Sequence, residues 1–235
     1  MIDWRIMRIS LKIFSDKTTQ HRNVSQDLGF WVLSGIIVGL YLLLTYISDQ
    51  YIFGNELYLR SYSDQLNRQR IVDFLDMQAR YRWAGYILTP FILTIKFLFT
   101  TVCISVGLIL LKFDFQLKKV FKVVILSELI FIVAKVIYVT NLWYHYDSLV
   151  MSEMADYYPL TALSYFGAEN VVTWLHYPLQ TLNLFEVFYI TAISWLLSKQ
   201  WKPDFVESLS IVLPSYATGL ILWLALVTFL TIQVS

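Results

Sequence analysis

Residues 84–111, AGYILTPFILTIKFLFTTVCISVGLILL, carry one charged side chain, Lys96, in an otherwise uncharged run. About 20 apolar residues at ~1.5 Å each cover the ~30 Å of hydrocarbon in a bilayer, so this segment is long enough to cross and to tilt. Composition agrees with that reading. Apolar residues make up 57% of the 235-residue chain, aromatics 17% and charges 15%, proportions of a membrane protein rather than of a soluble domain.

Working outward from this run, four more stretches meet the same criterion: Leu28 to Ser48, Val120 to Leu142, Leu179 to Ser198 and Leu209 to Ile232. The predicted fold is all-α, a polytopic transmembrane helical bundle of about five spans. Residues 1–27 are polar and basic, and no small-residue cleavage pattern follows the first apolar run, so that span is expected to stay attached. The segment from Leu160 to Tyr177, bracketed by Pro159 and Pro178, is a candidate sixth span. Glu169, Asn170 and His176, with the interfacial rings of Tyr165, Trp174 and Tyr177, place it instead as a helix at the outer interface.

Lys and Arg set the orientation. The N-terminal tail holds five, the stretch from Lys112 to Lys119 three, and Lys199 with Lys202 two more, all on one side of a five-span chain. The stretch from Trp143 to Pro178 has none, against the acids Asp147, Glu153, Asp156 and Glu169. The first external loop carries five Arg and five acids, which weakens the bias without reversing it. The N-terminus is therefore expected inside and the C-terminus outside.

The chain divides into a cytoplasmic tail, 1–27, and a transmembrane domain, 28–232, with external loops at 49–83 and 143–178. In the tail, Ile2, Ile6, Ile9 and Ile13 share a helical face beside Arg5, Arg8 and Lys12, a pattern that suits contact with an anionic inner leaflet and equally a basic flank that only enforces orientation. The segment from Asn55 to Arg82 reads as an external helix. Arg60 with Asp64, Asp64 with Arg68 and Asp76 with Arg80 are i,i+4 pairs worth tenths of a kcal/mol each, and Ile71, Phe74 and Leu75 give it an apolar side.

Several function classes are disfavoured. A net charge of +1 argues against a nucleic-acid footprint. Cys103 is the single cysteine and reads as a small hydrophobe within its span. His21, His145 and His176 lack metal-ligand spacing; no metal or other cofactor is expected. G-x-S-x-G and Gly-rich phosphate loops are absent from the sequence. The rings crowded into the second external loop, Trp143 and Tyr144 to Tyr177, suit a headgroup belt or a docking surface for a lipid, peptide or protein.

The informative residues are four charges inside the spans: Lys96, Glu128, Lys135 and Glu186. Each costs roughly 2.5–3.5 kcal/mol to insert, so each is expected to face a partner or a wet cavity. From depth along the spans, Lys135 pairs first with Glu186, and Lys96 with Glu128, while Asn183, one turn before Glu186, adds hydrogen bonds. Such a network is either a structural device that fixes helix register or a substrate or proton site. Gly35 and Gly39 form a small-xxx-small pattern that serves packing within the chain or dimerisation.

Leu182-Asn183-Leu184-Phe185-Glu186, followed by an apolar helix, a short basic loop and a final apolar helix, resembles the YIP family of five-span membrane proteins, over the region from Phe91 to Thr231. The resemblance implies that topology, and a non-enzymatic role: eukaryotic members are adaptors that bind small GTPases. The Asp-Leu-Tyr-Gly-Pro element of those members is missing, and the Tyr157-Tyr158-Pro159-Leu160 turn with its large outer loop looks more like bacterial relatives, which implies a bacterial inner membrane. The expected function is a non-enzymatic subunit or adaptor that binds a partner protein, a second copy of itself or membrane lipid. The alternative is a permease component, paired with a separate ATPase, that uses the buried charges. A membrane-embedded enzyme using His145 and His176 ranks third.

Overall fold

The computed structural model describes residues 31–62, 67–113, 116–147, 158, 160–201 and 203–234. Arg5, Arg8, Lys12, His21 and the start of the first predicted span lie outside the described residues, as does Asp64. Among the described residues the chain is helical, without strands. In order, the helices are α1 (Trp31–Tyr51), α2 (Asn55–Tyr62), α3 (Arg68–Leu110), α4 (Leu117–Ser127), α5 (Leu129–Tyr144), α6 (Ala162–Phe166), α7 (Thr173–Thr181), α8 (Leu184–Gln200) and α9 (Phe205–Val234). Three of them, α1, α3 and α9, are long and apolar enough to cross a membrane.

The remaining apolar runs form shorter helices for identifiable reasons. α4 and α5 are separated at Glu128, whose φ of −61° and ψ of −19° stay right-handed, so the helical course continues. The Glu128 N–H is shared between the carbonyls of Val124 and Ile125 at 3.2 Å each, and Ser127 Oγ bonds back to the Val123 carbonyl at 2.9 Å, both devices that tighten or bend a helix. α8 begins late because Asn183 is its N-cap, accepting the Glu186 N–H at 2.9 Å. At 17 residues α8 is about 26 Å long.

Two expectations are corrected by this layout. The helix expected over Asn55–Arg82 is found as two: α2 ends at Tyr62, and α3 runs unbroken for 43 residues, through Pro90, from the N-cap Asn67. Proline is tolerated within apolar helices where neighbouring groups take up the freed carbonyl. The helix expected over 160–177 is split into α6 and α7 by a single 3₁₀ turn, Ala168–Asn170, and neither piece is long enough to cross a membrane.

Contacts fix the relative directions of the helices. Cys103 of α3 faces Gly219 of α9, and Gly107 faces Ser215, so these two run antiparallel. Tyr216 meets Glu186 and Trp223 meets Tyr177, which sets α9 antiparallel to the α7–α8 segment. Tyr41 and Thr45 of α1 meet Glu128 and Lys135, so α1 is parallel to α5. Side chains of α3, α4, α8 and α9 build the main core, among them Phe97, Ile104, Val124, Tyr189, Ile193 and Val212; α1 adds Ile37. A smaller cluster, Ile52, Leu57, Val139 and Leu142, lies where α2 meets the end of α5, and the Arg60 guanidinium bonds the Tyr146 carbonyl there.

The outward faces of α3 and α9 present Ile87, Phe91, Leu98, Val102, Leu222 and Phe229, all exposed. Contiguous apolar surface of this kind is avoided in water and suits lipid. Gly35 and Gly39 belong to such a face: among the described residues, a Cβ at either would meet nothing within 4 Å. Gly107 and Gly219 are the glycines at a close helix approach, a role not anticipated from the sequence.

Candidate functional site

Polar side chains of α1, α3, the α4–α5 junction, α5, α8 and α9 line two adjoining cavities. Lys96 lies mid-way along α3, and its ammonium reaches Glu128 Oε1 at 2.7 Å. The same oxygen accepts the Tyr41 hydroxyl at 2.8 Å, tying α1 to the α4–α5 junction. Glu128 is fully buried, and among the described residues its Oε2 has no partner. The Lys96 ammonium also lies 3.8 Å from the centre of the Phe131 ring, a cation–π contact that helps hold a charge away from water.

Lys135 and Glu186 do not pair with each other, contrary to the first pairing expected. Lys135 Nζ donates to the neutral Thr45 hydroxyl at 2.7 Å and sits 5.5 Å from the Tyr41 ring centre. Glu186 Oε2 accepts the Tyr216 hydroxyl at 2.7 Å. The helix that carries Glu186 starts at Leu184, five residues beyond the start expected for the fourth span at Leu179. The carboxylate therefore stands in the first turn of α8, where the unsatisfied N–H groups favour negative charge. Asn183 contributes no bond to a charge: its carbonyl oxygen caps α8 and its amide donates to the carbonyls of Gln180 and Thr181.

Two adjoining cavities open from these groups. The larger, about 460 Å³, is lined by Lys96, Glu186 and Tyr216 together with the apolar side chains of Ile92, Phe99 and Leu220. The smaller, about 280 Å³, is lined by Lys96 and Lys135 with Tyr41 and Tyr138. Lys96, Tyr158 and Asn183 line both. Burial pushes the Tyr158 phenol above its usual range, so it stays a neutral hydrogen-bonding group at the boundary. A depression of about 870 Å³ between α5 and α8 is more voluminous, but it is lined by side chains such as Val133, Phe188 and Trp195 with no charge among them. Apolar lining alone confers little specificity against lipid tails, so the charged cavities are the better site.

The charges and hydroxyls of these cavities can bind a charged or hydrogen-bonding group. Among the described residues no group of three metal-ligating side chains comes together. His145 Nδ1 lies 3.1 Å from the Asn141 carbonyl and His176 Nε2 3.1 Å from the Val171 carbonyl, local contacts within their own segments. Sequence reasoning missed Tyr41, Thr45 and Tyr216, the neutral partners of the charges. Hydroxyl-bearing residues within a span are the signal that could have found them. No family model, curated protein or solved structure matches the chain.

Proposed function

We propose that this chain is a non-enzymatic integral membrane protein of five passes, with N-terminus inside and C-terminus outside, that holds a lipid or similar amphiphile in the larger charged cavity. The observation that carries the reading is the cavity's mixed lining, in which Lys96, Glu186 and Tyr216 stand among the apolar side chains of Ile92, Phe99 and Leu220. A head group finds charge and hydrogen bonds there, while a tail lies against the exposed side chains of Ile92 and Phe99. The five-pass topology is supported by the alternation of helix directions and by the Lys and Arg bias, with α4–α5 and α8 supplying the two passes beyond the three long helices. The likeness to the YIP family, carried by residues 182–186 and the helices after them, supports an adaptor role with a partner protein or second copy as a further ligand, and the likeness of the 157–160 sequence and outer loop to bacterial relatives supports a bacterial inner membrane.

The test is native mass spectrometry of the full chain purified in mild detergent. About one amphiphile per chain should persist, and Ile92→Trp, which fills the cavity from an exposed position, should lower its retention about tenfold without altering the thermal unfolding midpoint. A wild-type protein free of bound amphiphile counts against the reading.

A second reading, a permease component, is favoured by one observation: Lys96, Lys135 and Glu186 line cavities instead of being sealed in dry packing. On that reading Lys135→Met combined with Glu186→Gln leaves the protein folded and inserted, yet abolishes flux in a reconstituted-vesicle assay. Misassembly of the double variant instead points to a structural role.

A further inference from the structure

We infer that the head group selected by the larger charged cavity is a cation, a protonated amine carried directly on an apolar stem, with the Glu186 carboxylate as its counter-ion; this rests on the amphiphile reading above. Glu186 Oε2 accepts the Tyr216 hydroxyl at 2.7 Å, while Oε1 has no protein partner among the described residues. The charged groups that act on Glu186 are Lys96 and Glu128, which are of opposite sign. One ammonium therefore serves two carboxylates, and its contact, at 2.7 Å, is with Glu128. Together the three groups carry an excess of one negative charge. Lys135 stands outside this balance: it lines the other cavity, where its ammonium donates to Thr45 and Asp49 acts on it.

An excess charge inside a membrane is most stable beside an opposite one, and a primary ammonium brings N–H donors to the open Oε1. An anionic head finds no comparable place. Lys96 is the one base among the described lining residues, and its ammonium is already held by Glu128 Oε1 and by the Phe131 ring, whose centre lies 3.8 Å away. Drawing it toward an anion would unpair the fully buried Glu128, in a cavity that Glu186 also lines. The same lining carries the rings of Phe99, Tyr177, Tyr216 and Trp223, whose faces attract a cation. Trp223 Nε1 donates to the Tyr177 hydroxyl at 2.9 Å, and the Phe99 ring centre lies 6.1 Å from that of Trp223, so three of these rings form one cluster. Ile92, Ile95 and Phe99 share a face of α3 and are exposed, so the cavity borders the apolar outward surface of the bundle. An apolar stem lies along that border, which separates an amphiphile from a small water-soluble amine.

The experiment uses the full chain, stripped of lipid in a nonionic detergent, challenged with dodecylamine, dodecanol, dodecanoate and propylamine, with bound mass read by native mass spectrometry. Near neutral pH dodecylamine is an ammonium, and it should bind about tenfold more tightly than dodecanol, with dodecanoate weaker still. Propylamine should compete poorly. Glu186→Gln should bring dodecylamine to the affinity of dodecanol while dodecanol binding persists. Dodecanol or dodecanoate bound by the wild-type chain as tightly as dodecylamine, or a preference for the amine that Glu186→Gln leaves intact, overturns the cation assignment and leaves amphiphile binding standing. The wild-type comparison decides this even where the variant fails to fold. Competition by propylamine as strong as that of dodecylamine overturns the apolar stem, and absence of any bound amphiphile from the wild-type chain removes the underlying reading as well.

Discussion

Lys96→Met is expected to destabilise the protein by about 3–5 kcal/mol, because it strands the Glu128 carboxylate in a site with no exposure. Both Lys96 and Tyr41 donate to a single oxygen, Oε1, and the other oxygen is unpartnered among the described residues, so no spare donor stands ready to replace the ammonium. Glu128→Leu should cost less. The Lys96 side chain is 35% exposed and lines both cavities, so its ammonium can turn toward them once its partner is gone. The double variant Lys96→Met with Glu128→Leu should recover most of the loss, since two apolar groups of similar bulk need no compensation in this setting. Thermal unfolding of the three variants in detergent, compared as a double-mutant cycle, reads the coupling directly. If the double variant is no more stable than Lys96→Met alone, the ion pair is not what holds this region.

That asymmetry shows how much of the site could be read from residues alone. A charge within an apolar run is costly wherever it points, so Lys96, Glu128, Lys135 and Glu186 were legible as a set. Their pairing was legible only as far as their depths were. Lys96 with Glu128 follows from depth, and it is the pair found. Lys135 and Glu186 are not paired, and the helix that carries Glu186 starts at Leu184, five residues beyond the expected start at Leu179. The signal that would have corrected it was present: Asn183 followed three residues later by Glu186, ahead of an apolar run, is the sequence pattern of a helix N-terminus. The neutral hydroxyls that take the two charges instead, from Thr45 and Tyr216, come from helices distant in sequence, and periodicity within one helix carries no information about its neighbours.

Small residues teach the same lesson through packing. Gly35 and Gly39 have the spacing that permits close approach, as do Cys103 with Gly107 and Ser215 with Gly219. Spacing says that a helix can be approached, not that anything approaches it. In the fold the first pair faces open space, whereas the other two pairs face each other across α3 and α9.

Gly107→Leu should therefore be among the most disruptive apolar substitutions in the chain. A Cβ at Gly107 would overlap the Ser215 hydroxyl and lie 3.0 Å from Ser215 Cβ and 3.4 Å from Ile211 Cγ2. Ser215 cannot simply swing aside, because its hydroxyl donates to the Ile211 carbonyl at 2.7 Å, and its Cβ is fixed to the α9 backbone. The extra side chain has to push α9 outward, which also opens the contact of Gly219 with Cys103 and Phe99 one turn along. Overpacking of this kind costs about 1–3 kcal/mol, and an interface that lacks a hydrophobic drive to re-form in lipid falls toward the upper end. Gly107→Ala with Ser215→Gly trades the added methyl against the removed hydroxymethyl and should unfold close to the wild-type midpoint. Gly35→Leu and Gly39→Leu, whose new atoms meet nothing within 4 Å, should leave that midpoint unchanged in detergent. A Gly107→Leu protein as stable as the wild type would mean that α3 and α9 do not meet at these residues, and the antiparallel seam on which the cavity's walls depend would have to be redrawn.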